Sequence, residues 1–553
     1  MIDTPFIKML EQSVVRNWSS VAFTDYGSPT SMKYQDVAQE IERIHILLRQ
    51  CGITQPDKVA LMGRNNSYWA ITYLGIMTYG AIVVPILQDF KPNDTLHILN
   101  HSESKLFFVT DSLYESLDID QMNQVKVVLS LATRDVLAIK NDLIRKEDIL
   151  PETITSIFDK QYPGGITPEK IHYCIKDNSE IGSINYTSGT TGFSKGVVTR
   201  LNALAGNVKF CSEHHVIYKQ SRQVVFLPLA HAFGCAFDFL TTFYVGGHAY
   251  FLGKTPSPRI LLQAFKEIKP TCIFTVPLIL EKIYKKQILP LLNRTSVNWA
   301  LKMPILDDVL LKKVRQELVN TFGGEFDELI IGGAPLNAEV EAFLNRIHFP
   351  YTVGYGMTEC APLISYSKAK DFKIGSCGKV LEGLMEVKVD SPDENGIGEL
   401  LVRGEHVMAC YYKNQEATAE VFTEDGWLKT GDLGYVDKDG FIFIKGRNKT
   451  MILGPSGQNI YPEEIEAKLN NMPYVMESIV IQRETHLEAL VCPDYETSGS
   501  MTSEELKAAM EKNRKTVNTL LASYEQIKAI KLYPHEFEKT PKKSIKRFLY
   551  TQY

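Results

Sequence analysis

INYTSGTTGFSKGVV, residues 184–198, is the stretch from which the rest of the chain is read. A β-like apolar run empties into a loop of Thr187, Ser188, Gly189, Thr190, Thr191 and Gly192, with Lys195 just beyond it. Glycines let a backbone curl until N–H groups converge on an anion, and hydroxyls add donors. A lysine adds a compact positive charge. The pattern predicts a phosphate-holding turn between a buried strand and an apolar helix, a place where flexible Ser/Gly linkers are rare. The G-x-x-x-x-G-K-[ST] spacing is absent, so this is not a Walker A loop.

Outward from that loop, short β-branched apolar runs alternate with helical patterns. DKVALMG (57–63), AIVVPI (81–86), KLFFVT (105–110), KVVLSL (126–131), VVFLPL (224–229), CIFTVP (272–277) and ELIIGG (328–333) read as buried strands. Helix-like segments between them predict α/β sheets with covered faces. The uncharged run WAITYLGIMTYGAIVVPILQ (69–88) is long enough to span a bilayer. Its glycines, late proline and Val-rich end predict a buried helix followed by a buried strand instead. From about Gly375 the texture becomes turn-rich β, with a hairpin at DKDG (437–440). After GRNKT (446–450), Pro462 opens a helix with acids at its positive end, and Thr502 to Glu505 fits a capping box. The last hundred or so residues therefore read as a small α+β unit.

At 553 residues the chain exceeds one ordinary core, and 44% hydrophobic with 23% charged residues is a globular composition. A net charge of −5 gives no electrostatic case for nucleic acid. Nine scattered cysteines, none in a C-x-x-C pair, point to reduced thiols in a cytoplasmic protein. The N-terminus has no basic segment followed by an apolar one, so no signal peptide is read.

Three more fragments carry chemistry. GYGMTE (354–359) offers Tyr355 to stack on a base, Thr358 to bond a phosphate and Glu359 to hold a hard cation. TGDLG (430–434) offers Asp432, whose carboxylate can take two ribose hydroxyls, and KGR (445–447) adds Arg447. Singly each is weak, since a lone Asp beside glycine is more often a turn former.

Together and in this order they are specific. The chain resembles the acyl-adenylate-forming (AMP-binding) superfamily of acyl-CoA synthetases, nonribosomal adenylation domains and luciferases. YTSGTTGFSKG matches the family's phosphate loop, with Ser194 where proline is usual, and LPLAHAFG (227–234), IGGAP (331–335), YGMTE, TGD and GR-x-K follow. The resemblance implies an α/β fold: a large N-terminal domain of layered α/β sheets, residues 1–448, with a β-rich subdomain at about 375–445. A small mobile α+β C-terminal lid, 449–553, would turn on a hinge at Lys449. It also implies roles. Thr187 and Glu359 would hold Mg²⁺, and Ser188 to Lys195 would wrap the β- and γ-phosphates of ATP. Tyr355, with Gly356 and Met357 beside it, and the Gly333-Ala334-Pro335 segment would sandwich adenine. Asp432 and Arg447 would take the ribose and Thr358 the α-phosphate. His231 would stand at the carboxylate, and Gly457 in the passage for coenzyme A.

FTVPLILEKIYKKQILPLL (274–292) and QNIYPEEIE (458–466) look like long-chain fatty acyl-CoA synthetases, although Leu278 stands where many relatives have arginine. The implied partners are small molecules: fatty acid, ATP and coenzyme A, with peripheral contact at the inner face of a membrane left open. The closing motif K-T-P-x-G-K-I-x-R falls on EKTPKKSIKR with Ser544 at the catalytic lysine and Lys543 at the glycine before it. Lys543, by a one-residue shift, or Lys546, which shares the face of Ser544 if the segment is extended, is the candidate replacement. That departure keeps one alternative open, an adenylate-binding sensor or carrier with weakened catalysis; an acyl-AMP ligase that serves a protein carrier is a separate one.

Overall fold

The computed structural model describes residues 2–141, 143–187, 194–285, 304–453, 458–484, 486–540 and 544–550, with side chains from 311 onward in the segment that starts at 304. The central layer is an eight-stranded sheet. Its order is Cys410–Tyr411, Lys195–Arg200, Ile181–Thr187, Ile82–Ile86, Lys58–Met62, Leu106–Val109, Val127–Ser130, Val136–Ile139. The strands from Ile181 to Ser130 in that order run parallel, and the outer ones are antiparallel. Parallel strands need both faces covered, and they read as continuous apolar runs for that reason. Four of the seven expected strands lie in this sheet, within a residue or two of their expected bounds.

The ambiguous 69–88 stretch is a helix, Ser67–Tyr79, followed by the strand Ile82–Ile86, and its side chains are buried on every side of the helix. Asn66 accepts the Trp69 N–H at 2.8 Å as its N-cap, and Gly80 ends it with a left-handed φ of +91°. Trp69, Tyr73 and the neighbouring aliphatics are fully buried; each large side chain contributes roughly 1.5–3 kcal/mol. Among the described residues no helix is long and apolar enough to cross a membrane.

A second sheet orders Arg222–Val225, His248–Phe251, Val21–Asp25 and Ser31–Lys33, and a third runs Cys272–Thr275, Glu328–Ile331 and Tyr351–Val353 in parallel. VVFLPL is a strand only to Val225. Beyond it the backbone bends, because Asn65 holds Leu227 and Leu229 from the side. A meander of Met385–Asp390, Gly398–Gly404, Leu428–Val436 and Ile442–Arg447 follows, with its last hairpin closed at Asp437 to Gly440. In the last hundred residues Val475–Arg483, His486–Pro493 and Ile527–Leu532 form a sheet packed by Pro462–Leu469 and Ser503–Asn518. Pro462 stands in the first turn, and the Thr502–Glu505 capping box is present. Among the described residues no apolar core cluster joins this part to the rest. All nine cysteines are free thiols.

Candidate active site

The phosphate-loop expectation needs one correction. Lys195 does not open a helix; Lys195–Arg200 is a strand antiparallel to Ile181–Thr187, with Thr187 opposite Lys195, and the helix Leu201–Glu213 comes after it. KGVV alternates too briefly to distinguish the two from sequence, and pairing with its own neighbour decides for β. Thr187 and Lys195 thus lie side by side at the carboxyl end of the parallel strands of the central sheet, the edge where α/β folds bind ligands. Ser188, Gly189, Thr190, Thr191 and Gly192 lie outside the described residues, as do Gly457 and Lys543.

Around that edge the fragments converge. Strand pairing sets Asp432 opposite Arg447. The Arg447 Nε lies 3.2 Å from Asp432 Oδ1, and the Tyr355 hydroxyl donates to Oδ2 at 2.7 Å. Burial raises the Asp432 carboxyl above the usual carboxylate range, opposed first by Arg447. Tyr355 is buried, and Gly356 beside it must be glycine, because a Cβ there would meet the Pro362 carbonyl oxygen at 2.1 Å. The Met357 N–H donates to the same carbonyl at 2.9 Å, which closes the turn that carries Thr358 and Glu359. Gly333, with φ +86°, and the exposed Ala334 and Pro335 follow the parallel strand Glu328–Ile331 at its carboxyl end.

Glu359 faces the hairpin. The Tyr411 hydroxyl donates to Glu359 Oε1 at 2.8 Å, and the Lys195 Nζ sits 4.9 Å over the Tyr411 ring. Arg447, Asp432 and Tyr355 therefore touch in sequence, and Glu359, Tyr411 and Lys195 do the same four residues along. Glu359 also bears electrostatically on Asp432, raising it further, so the two groups share one neighbourhood. Among the described residues no three His, Cys, Asp or Glu cluster as a metal cage. A single carboxylate with hydroxyl neighbours suits Mg²⁺, which takes one or two protein oxygens and completes its shell with water and phosphate.

His231 is half-buried in the loop after Val225, and the next residues turn into a π-helical segment, Gly234–Thr241. Phe233 brings this loop to the segment that leads into Gly333, since a Cβ on Gly332 would touch its ring at 3.0 Å. The Asn65 side chain donates to the Leu227 carbonyl at 2.6 Å and accepts the Leu229 N–H at 2.9 Å, so it fixes the approach to His231. Sequence reasoning missed Asn65 and Tyr411. Their partners lie 162 and 52 residues away, and no local pattern marks them.

The tail segment is a hairpin and not an extended run. Lys539 pairs antiparallel with Ile545, and the Thr540 N–H donates to the Ser544 carbonyl at 2.8 Å. Ser544 is exposed. Lys546 is engaged, its Nζ 2.6 Å from Glu538 Oε1, and the same oxygen lies 4.0 Å from Lys91 Nζ. The face-sharing argument for Lys546 needs an extended strand, and the hairpin removes it.

A family model described as "AMP-binding enzyme" matches residues 10–412. A long-chain-fatty-acid–CoA ligase, FadD15, of Mycobacterium bovis is 28% identical, covering 94% of this chain and 90% of that protein. Long-chain-fatty-acid–CoA ligase 1 of Saccharomyces cerevisiae is 27% identical over 88% of this chain and 75% of its own. In fold, the chain is similar to O-succinylbenzoate coenzyme A synthetase (MenE) of Bacillus subtilis in complex with AMP, with a TM-score of 0.75 at 20% identity, covering 99% and 98% of the two chains. ATP-bound MatB of Rhodopseudomonas palustris gives the same TM-score and identity over 99% of each chain.

Proposed function

Because the chain belongs to the AMP-binding enzyme family, we propose that it is an acid–thiol ligase that converts a long-chain fatty acid to its coenzyme A thioester in two steps. In the first, the carboxylate attacks the α-phosphorus of ATP, giving acyl-AMP and pyrophosphate. In the second, the thiol of coenzyme A attacks the acyl carbon, and AMP leaves. A carboxylate is a poor acyl donor because its own oxygen is a bad leaving group; AMP is a good one. The observation that carries the reading is the meeting of Arg447–Asp432–Tyr355 and of Glu359–Tyr411–Lys195, with Glu359 close enough to bear on Asp432.

In this reading Asp432 and Arg447 hold the ribose. Tyr355 and Gly333 to Pro335 line the base, and Thr358 donates to the α-phosphate. Lys195 and the 188–192 loop take the outer phosphates, and His231 faces the carboxylate. Mg²⁺, held by Glu359 and Thr187, supplies charge neutralisation to the phosphoryl oxygens. Charge grows there and on departing pyrophosphate, so losing one fixed donor costs on the order of 3 kcal/mol, about a hundredfold in rate. Lys543, which the closing motif offers by a one-residue shift, bridges carboxylate and phosphate. Residues 449–553 then rotate as a lid about Lys449 to present the thiolation face and Gly457.

The long-chain assignment rests on the two relatives named as long-chain-fatty-acid–CoA ligases and on the 274–292 segment. The reading puts the enzyme in the cytoplasm. Pyrophosphate release with palmitate, measured with and without coenzyme A, tests the whole. Release in both cases, with thioester only when coenzyme A is present, is expected. No pyrophosphate with any fatty acid would leave a sensor or carrier, and pyrophosphate without thioester would mean an acyl-AMP ligase for a protein carrier.

A further inference from the structure

We infer that Tyr411 is a positioning residue that sets the cation-holding pose of Glu359 and ties it to the phosphate-side lysine, Lys195. This rests on the proposed reading of Glu359 as the Mg²⁺ ligand. Tyr411 is buried, yet both ends of its side chain meet candidate site residues. Its hydroxyl donates to Glu359 Oε1 at 2.8 Å, leaving the other carboxylate oxygen for a cation. Its ring face lies under the Lys195 ammonium at 4.9 Å, a distance at which the ring quadrupole attracts the cation.

The backbone around Tyr411 makes the same connection. Cys410–Tyr411 is a short edge strand on Lys195–Arg200, with Tyr411 opposite Val197. The Tyr412 N–H donates to Gly196 O at 2.7 Å, next to Lys195, and the Met408 N–H donates to Glu359 O at 2.7 Å. The Thr418 hydroxyl accepts the Tyr411 N–H at 3.0 Å and fixes its direction. One five-residue segment thus stitches the hairpin that carries Lys195 to the turn that carries Glu359. A hydroxyl bonded to a ligating carboxylate orients the free oxygen and restricts the rotamer, and loss of such an outer partner typically costs 10–100-fold in metal affinity.

The test is equilibrium binding of a non-hydrolysable ATP analogue, titrated with Mg²⁺, for the wild type, Tyr411→Phe, Tyr411→Leu and Glu359→Gln. Tyr411→Phe removes one oxygen atom and keeps the ring under Lys195. It should raise the Mg²⁺ concentration for half-maximal effect about tenfold, with Mg²⁺-free nucleotide affinity within about twofold. Tyr411→Leu, which also removes the ring, should lower Mg²⁺-free affinity as well. Glu359→Gln should abolish the Mg²⁺ effect. An unchanged Mg²⁺ midpoint in Tyr411→Phe beside an abolished effect in Glu359→Gln overturns the role of Tyr411 and leaves Glu359 as the ligand. An unchanged response in Glu359→Gln overturns both. Thermal unfolding of each variant confirms that folded protein was titrated, and Tyr411→Phe alone decides should Tyr411→Leu not fold.

Discussion

Asp432 is buried with a guanidinium on one oxygen and a phenol on the other, so it is aimed from both sides, and burial raises its pKa against the pull of Arg447. Asp432→Asn keeps the volume but replaces an acceptor by an NH₂ that Arg447 repels. We expect KM for ATP to rise about tenfold or more with a smaller fall in kcat, read by pyrophosphate release. An unchanged KM would remove Asp432 from the ribose site. The tail lysines are separable in the same way. Lys546 is paired to Glu538, whereas Lys543 follows from the motif alone. Lys543→Ala should slow adenylate formation about a hundredfold, and Lys546→Ala less than about tenfold, with thioester formation from preformed adenylate nearly intact in both. Hydroxamate trapping measures the first step, and equal mild losses would mean that neither lysine does this work. At this scale the nearness of Asp432 and Arg447 was legible, since the resemblance set both at one ribose and the structure pairs their strands. Tyr411 was not, because its meaning lies wholly in a contact across the fold.

Elements are joined by buried polar groups as well as by apolar packing, and His406 is the clearest case. It follows the strand Gly398–Gly404, donates from Nδ1 to the Leu363 carbonyl at 2.7 Å, and lies against Gly206 of the helix Leu201–Glu213. Burial lowers its pKa to about 4. The unfolded chain protonates near 6.5, so the stability that neutral His406 contributes is complete above that pH and is lost as pH falls from 6.5 toward 4. Between pH 7 and 5 the loss is about 2 kcal/mol. Urea unfolding at the two pH values should show a drop that a His406→Asn variant reduces by about that amount, and parallel losses in both proteins would refute the assignment. The elements themselves were mostly legible. Residues 69–88 read as helix then strand because glycine and β-branched residues divide the run, and the structure divides it at Gly80. Two places resisted. KGVV is a hairpin strand because it pairs with its neighbour, and residues 234–241 widen into a π-helix that no residue pattern announces. Neither shows in the segment's own side-chain pattern.

Across the whole molecule, the part we propose as the lid meets the rest through polar contacts. Lys285 Nζ donates to the Asn470 carbonyl at 3.0 Å, Asn337 Nδ2 to Asn471 Oδ1 at 2.5 Å, and Lys445 pairs with Glu464 at 3.0 Å. Contacts of this kind form and break at little cost, which suits a surface that must separate within each turnover. The pose they hold has a direction. Lys91 follows the strand Ile82–Ile86, which runs parallel beside Ile181–Thr187. Its 4.0 Å approach to Glu538 therefore brings the tail hairpin to the edge where the phosphate loop leaves the sheet. We propose this as the pose for the first step, so the contacts that favour it should matter to that step alone. Asn337 also caps the helix Ala338–Arg346 through its oxygen, so the clean change is on the other side, at Asn471. Asn471→Ala combined with Lys285→Ala should slow adenylate formation about three- to tenfold, in proportion to two hydrogen bonds, one exposed and one part-buried. Thioester formation from preformed adenylate should be unchanged or slightly faster, since the first pose competes less. An equal loss in both half-reactions would show that these contacts only stabilise the fold.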